Sequence, residues 1–217
     1  MSKITSYVSG VFEKFPEIKL QTWALVIGLV LAALLLMKVS SRNKSMSTKK
    51  LVYGSLCISI AFVLSYIRIF RMPQGGSLTP ASMLPVMFFA YMFGPAPGII
   101  AGMAYGLLQY VQDAYMVHWI QLFFDYPLAF GALGVAGYFK KNFRLGIIVG
   151  CFGRFIFHVL SGVFFFAEYA ADAGMAPIPY SAAYNSYIGV ELIICLVLVS
   201  LPQFNNALKK IKGEVTL

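Results

Sequence analysis

Charge is scarce in this chain: Asp, Glu, Lys and Arg make up 12% of its 217 residues, about half the share usual in a soluble domain. With 59% of residues hydrophobic, there is too little polar surface for a water-soluble globule. Acids are the scarcer sign, 8 against 17 Lys and Arg, for a formal net charge of +9. The bases sit in short clusters beside apolar runs rather than on one face with stacking aromatics, so membrane topology explains them and nucleic acid is not their partner. Cysteine is nearly missing. Cys57, Cys151 and Cys195 lie inside apolar runs without C-x-x-C or metal spacing and read as small buried side chains. Also absent are a G-x-x-x-x-G-K-[ST] loop for ATP, an H-E-x-x-H zinc helix and a G-x-S-x-G nucleophile. The chain cannot power ATP-driven transport alone, no cofactor or metal is indicated, and an enzyme is the weaker alternative.

What is present is a series of apolar runs long enough to cross a hydrocarbon core of about 30 Å. Residues 20–37, "LQTWALVIGLVLAALLLM", are long for a signal peptide and lack a small-residue cleavage site, so they read as a transmembrane helix. Residues 1–19 before it read as an interfacial segment. The linker 38–50 carries five positive charges and no acid, which places it in the cytoplasm and the N-terminus outside. Further spans follow near 50–70, 79–94, 97–112, 117–138, 145–167 and 184–202, then a basic cytoplasmic tail over 205–217. The alternation is self-consistent: Lys140, Lys141, Arg144, Lys209, Lys210 and Lys212 fall inside, and Asp113, Glu168 and Asp172 fall outside. Arg68 and Arg71, near an outer end, are expected to snorkel to headgroups. The fold class is therefore an all-α integral membrane protein, a six-helix bundle over 51–204 with one extra N-terminal helix.

One stretch breaks the pattern. "RMPQGGSLTPASMLPV", Arg71 to Val86, places Pro, Gly and Ser between two apolar runs on the outer side. Such a segment can fold back over the bundle if it packs on protein or lines a cavity, or it can be a plain external loop.

Ionisable residues inside spans face the bundle interior or a cavity, and here they are Asp125, Arg154, His158 and Glu191. Asp125 and His158 each lie about eight or nine residues from the outer end of their spans, a depth of roughly 12–14 Å, so they are candidates to face one another. Around that level lie Tyr115, Trp119, Tyr126, Phe165, Phe166, Tyr169, Tyr180, Tyr184 and Asn185. A carboxylate among aromatic faces suits a flat organic cation, each cation–π contact contributing about 0.5–2 kcal/mol. Trp119 and Tyr169 equally fit an interfacial aromatic belt, and His158 equally fits a helix-to-helix hydrogen bond. Arg154, one turn from His158 on the same face, needs an acceptor. Glu191 is preferred and Asp125 competes.

With these residues assembled, the chain resembles the thiamin-specific substrate-binding subunit, or S component, of energy-coupling factor (ECF) transporters. The resemblance rests on "PQGGSLTPASMLPV", "AYMVHWIQLFFDYPLAFGALGVAG", "FGRFIFHVLSGVFFFAEYA" and "PYSAAYNSYIG", and it runs from about residue 51 to the C-terminus. It implies a six-helix bundle in a bacterial cytoplasmic membrane that captures thiamin from outside. It implies that Pro73 to Pro80, with Gly75, Gly76 and Ser77, form a gate over the site. It implies substrate contacts from Tyr115, Asp125, Tyr126, His158, Phe166, Tyr180 and Asn185. Asp125 stands where the family typically has Glu, and Phe166 where it typically has Trp, so another thiazolium or pyrimidine compound is the alternative ligand. The implied partners are a membrane coupling subunit and two cytoplasmic ATPases, which alone use ATP. Ser55 and Ser59, at small-xxx-small spacing, are the expected coupling-subunit contact, with packing inside the bundle as the other reading.

Overall fold

The computed structural model describes residues 47–216. The expected interfacial segment 1–19, the extra helix 20–37 and linker residues 38–46 lie outside the described residues. Helix α1 (Thr48–Tyr66) is capped by Ser47, whose hydroxyl accepts from Lys50 N. It buries only Gly54, Cys57, Ala61 and Ser65, a small-residue stripe at helical spacing, and leaves apolar faces outward, as a lipid-facing helix does. A two-stranded hairpin follows, β1 (Phe70–Arg71) paired antiparallel with β2 (Ser77–Leu78).

Helix α2 (Leu84–Phe93) has ten residues. At about 1.5 Å per residue it is too short to cross a bilayer. The expected span 79–94 is helical only in its second part: residues 79–83 are turn, with Ala81 at a left-handed φ of 65°, and α2, with seven buried residues, carries the chain from there to Tyr91, which stacks on Phe143. Gly94, at φ 99°, breaks the chain between α2 and α3 (Pro95–Gln112), and Pro95 starts the new helix where its missing N–H costs nothing.

Helix α4 (Trp119–Tyr138) crosses the molecule but is not uniform. Its centre, Phe124–Leu128, is a π-helical turn containing Pro127, and its last residues, Leu133–Tyr138, tighten into a 3₁₀ helix. Pro127 cannot donate to the ladder and its ring crowds the preceding turn, which the wider π turn accommodates. A glycine stripe on α3 lets α4 come within backbone contact: a Cβ on Gly102 or Gly106 would lie 2.2 or 2.3 Å from the carbonyl oxygens of Phe130 and Tyr126.

Helix α5 (Phe143–Phe165) starts at the Asn142 cap. Short α6 (Ala167–Asp172) follows, then α7 (Pro177–Tyr184) and α8 (Tyr187–Ser200), which run as one span interrupted at Asn185–Ser186. The last span thus begins at 177 rather than 184, since Pro177 initiates helix readily. The basic tail is helix α9 (Pro202–Thr216). Among the described residues, α1, α4, α5 and α7–α8 are long and apolar enough to cross a membrane. The chain is a multi-pass, all-helical membrane protein apart from the small hairpin.

Candidate functional site

The site lies at the end of the bundle that carries the hairpin, where a cavity is lined from α3, α4, α5, α7 and α8. At its base is Asp125, presented by the π turn of α4. On α5, Arg154, His158 and Ser161 repeat at spacings of four and three, one face of the helix, and that face points into the cavity. His158 Nδ1 is 2.9 Å from Asp125 Oδ1, so the two residues expected to meet do meet. Ser161 donates to Asp125 Oδ2 at 2.9 Å, and Gln121, one turn earlier on α4, donates to the same oxygen.

Proton positions follow from donor chemistry. Arg154 Nε lies 3.3 Å from His158 Nε2. A guanidinium only donates, so Nε2 accepts and the imidazole proton sits on Nδ1, directed at Asp125. The other end of Arg154 faces Glu191, Nη1 to Oε2 at 3.6 Å, and Arg154 also covers the Phe130 ring at 4.4 Å. The preferred Arg154–Glu191 pairing therefore holds, and Arg154 reaches Asp125 only through His158. Glu191 Oε1 accepts from Thr79 (2.6 Å) and Ser82 (3.1 Å), both aimed at it by the left-handed turn at Ala81. Asp125 and Glu191 against Arg154, with a neutral His158, leave one net negative charge in the inner cavity.

The hairpin closes over this charge. Met72 N donates to Gly76 O (3.0 Å), making a tight turn whose tip includes Gly75 and Gly76 at φ 85° and 86°. Both glycines also approach aromatic rings: a Cβ on Gly75 would lie 3.2 Å from Tyr115 Cβ, and one on Gly76 would lie 2.6 Å from Tyr187 Oη. Tyr184 Oη accepts from Gln74 N (2.7 Å) and donates to Gly75 O (3.1 Å), while Gln74 Nε2 donates to Tyr180 Oη (3.2 Å). The segment from Arg71 is thus hydrogen-bonded to α7 above the cavity rather than a loose external loop. Its strands were not anticipated.

All of the expected contact residues line this cavity: Tyr115, Asp125, Tyr126, His158, Phe166, Tyr180 and Asn185, with Gly75, Gly76 and Ser77 above. Tyr115 and Phe166 face each other at 6.0 Å and 25°, and Tyr180 and Tyr184 at 6.4 Å and 26°. Tyr126 mainly braces a wall, its hydroxyl accepting from Tyr115 N (3.1 Å) and donating to Asp113 O (3.2 Å). Asn185, buried at the α7–α8 break, donates to Ser181 O at 2.9 Å.

Arg68 and Arg71 depart from expectation. Rather than snorkelling, Arg68 lies 3.0 Å from Asp113 Oδ2 and Arg71 donates 2.7 Å to its Oδ1. The carboxylate that ends α3 is a nearer partner than the headgroups. Sequence reasoning missed Gln74, Gln121 and Ser161. The last two carried a signal in their helical spacing from Asp125 and His158, whereas Gln74 carried none. Ser55 and Ser59 do not touch the cavity and are exposed on α1 among the described residues.

Comparison with known proteins agrees with this geometry. The thiamine transporter ThiT of Bacillus subtilis is 27% identical over 186 residues, covering 74% of this chain and 96% of that protein. A solved structure of ThiT from Listeria monocytogenes superposes with a TM-score of 0.60 at 25% identity, over 71% of this chain and 96% of the other. Residues 51–211, which contain the hairpin, the π turn and the polar face of α5, match the thiamine transporter protein family as a whole. That match, over well more than half of its length, places the chain in that family of membrane transport proteins.

Proposed function

We propose that this chain is the thiamin-capturing S component of an ECF-type importer in a bacterial cytoplasmic membrane, taking the vitamin from outside. The observation that carries the reading is the Asp125 carboxylate, held by His158, Ser161 and Gln121 at the base of a covered aromatic cavity. Those three donors leave one of roughly four lone-pair positions open. That position suits either an amino group of the pyrimidine or the field of the thiazolium. The single net negative charge matches a monocation, and the paired rings of Tyr115, Phe166, Tyr180 and Tyr184 offer flat faces to both heterocycles. Asn185 adds polar selection, while His158, with both ring nitrogens engaged, holds Asp125 in place.

Binding would be followed by reorientation driven by the two partner ATPases through the coupling subunit. The chain's own work is recognition, with no bond made or broken. The exposed Ser55–Ser59 face of α1 is the surface proposed for the coupling subunit.

Calorimetric titration of the detergent-purified protein tests the proposal, using thiamin, thiamin monophosphate and an isolated aminopyrimidine in parallel. One-to-one thiamin binding, weakened in Asp125→Asn, supports it. Absence of heat for all three, from folded protein shown free of copurified ligand, sinks thiamin as the substrate.

A further inference from the structure

A second cleft opens at the opposite, inner end of the bundle, where α9 lies against the start of α5. Its floor includes Tyr91, Phe143 and Leu208, and its rim carries Lys141, Arg144 and Lys209. The cleft is held by specific contacts: Tyr91 and Phe143 stack at 4.6 Å and 25°, Lys212 lies over the Tyr91 ring at 3.5 Å, and Lys212 donates to Lys140 O at 3.2 Å. These tie α9 to α2 and to the α4–α5 turn.

No Asp or Glu lines the cleft. Lys141, Arg144 and Lys209 are exposed, and among the described residues none of them takes part in an ion pair. Three converging cations without a counter-charge attract an anion. Directly beyond Arg144, exposed Leu145, Ile148 and Phe152 climb one face of α5 toward the membrane centre. Exposed Leu201, Val197 and Ile193 do the same on α8. A free inorganic anion has no use for these apolar tracks, whereas acyl chains do. The positive-inside pattern puts this end in the cytoplasmic leaflet, where anionic lipids supply such a ligand.

We propose that this cleft binds the head group of an anionic phospholipid, its phosphodiester on Lys141, Arg144 and Lys209 and its acyl chains along α5. The site is separate from the thiamin cavity, and its test does not depend on what that cavity binds.

The test is native mass spectrometry of the detergent-purified full chain, titrated with phosphatidylglycerol or phosphatidylcholine. Phosphatidylglycerol is expected to be retained at least about fivefold better. The variant K141Q/R144Q/K209Q should bring the two lipids within about twofold. K49Q/K50Q/K210Q, which removes as many charges from the same membrane face outside the cleft, should keep the preference. If the triple cleft variant is not monodisperse and helical, Arg144→Gln alone carries the comparison and should lower the preference about twofold. Equal loss in both triple variants would overturn the proposal in favour of diffuse surface charge. Displacement of the lipid by inorganic phosphate would overturn it in favour of a free-anion site. An intact lipid preference in the cleft variant, with uptake lost when partner subunits are present, would overturn it in favour of a protein contact.

Discussion

Asp125 is where a single side chain decides the most. Its two oxygens accept from three neighbours, so Asn in its place both removes the charge and turns an acceptor into a donor facing other donors. Asp125→Asn is expected to weaken thiamin binding tenfold or more, a loss of about 1.4 kcal/mol or greater, read by calorimetry. Arg154 and Glu191 act differently, since their side chains are 6% and 1% exposed. Removing either leaves a buried charge unpaired. Arg154→Met or Glu191→Met alone should destabilise the protein by about 3–5 kcal/mol, while the double variant recovers much of that. Thermal unfolding of the purified variants checks this; single and double variants of equal stability would show that the pair does not interact. Asp125, His158 and the Arg154–Glu191 pair were all legible from sequence, because ionisable residues inside apolar spans announce themselves. Ser161 and Gln121 carried only the weaker signal of lying one helical turn from His158 and Asp125, because an uncharged polar residue in a membrane helix hydrogen-bonds to many kinds of partner.

The hairpin and the π turn carry the functional geometry among the elements. Tyr184 holds the hairpin tip by two hydrogen bonds, each contributing about 0.5–1.5 kcal/mol. Tyr184→Phe should therefore speed thiamin release roughly 5- to 150-fold, with little change in overall stability. Gly76→Ala, strained at φ 86° and driven against Tyr187 Oη, should prevent full seating of the cover and accelerate release as well. Stopped-flow dissociation measures both, and unchanged rates in both variants would reduce the hairpin to a passive loop. Gly75 and Gly76 marked the fold-back in sequence. The strands did not, because a ladder two residues long has no alternating pattern to read. Pro127 was visible inside an apolar run, yet whether such a proline kinks, breaks or widens a helix depends on what packs against it.

For the whole molecule, the bundle has two kinds of outer surface. Most of it is apolar and suited to lipid, while α1 adds the small residues Ser55 and Ser59 among large exposed apolar neighbours. Under the proposed ECF partnership, Ser55→Leu with Ser59→Leu should leave thiamin affinity in detergent within about twofold of the parent while sharply reducing uptake in vesicles that also contain the proposed coupling subunit and ATPases. Full uptake by that variant would move the docking surface elsewhere on the molecule.

The sequence by itself determined the membrane class and the ionisable residues of the cavity. Hydropathy and the cost of an intramembrane charge are local properties that need no partner to be read. Only the tertiary structure decided that the segment 79–94 is helical from Leu84 alone, that Arg68 and Arg71 share Asp113, and that Arg154 reaches Asp125 by way of His158. Each of those outcomes is a competition among partners from distant segments. It is settled by which side chains the glycine-spaced approach of α3 to α4 and the closed hairpin bring within hydrogen-bonding reach, and no pattern along one segment encodes that choice.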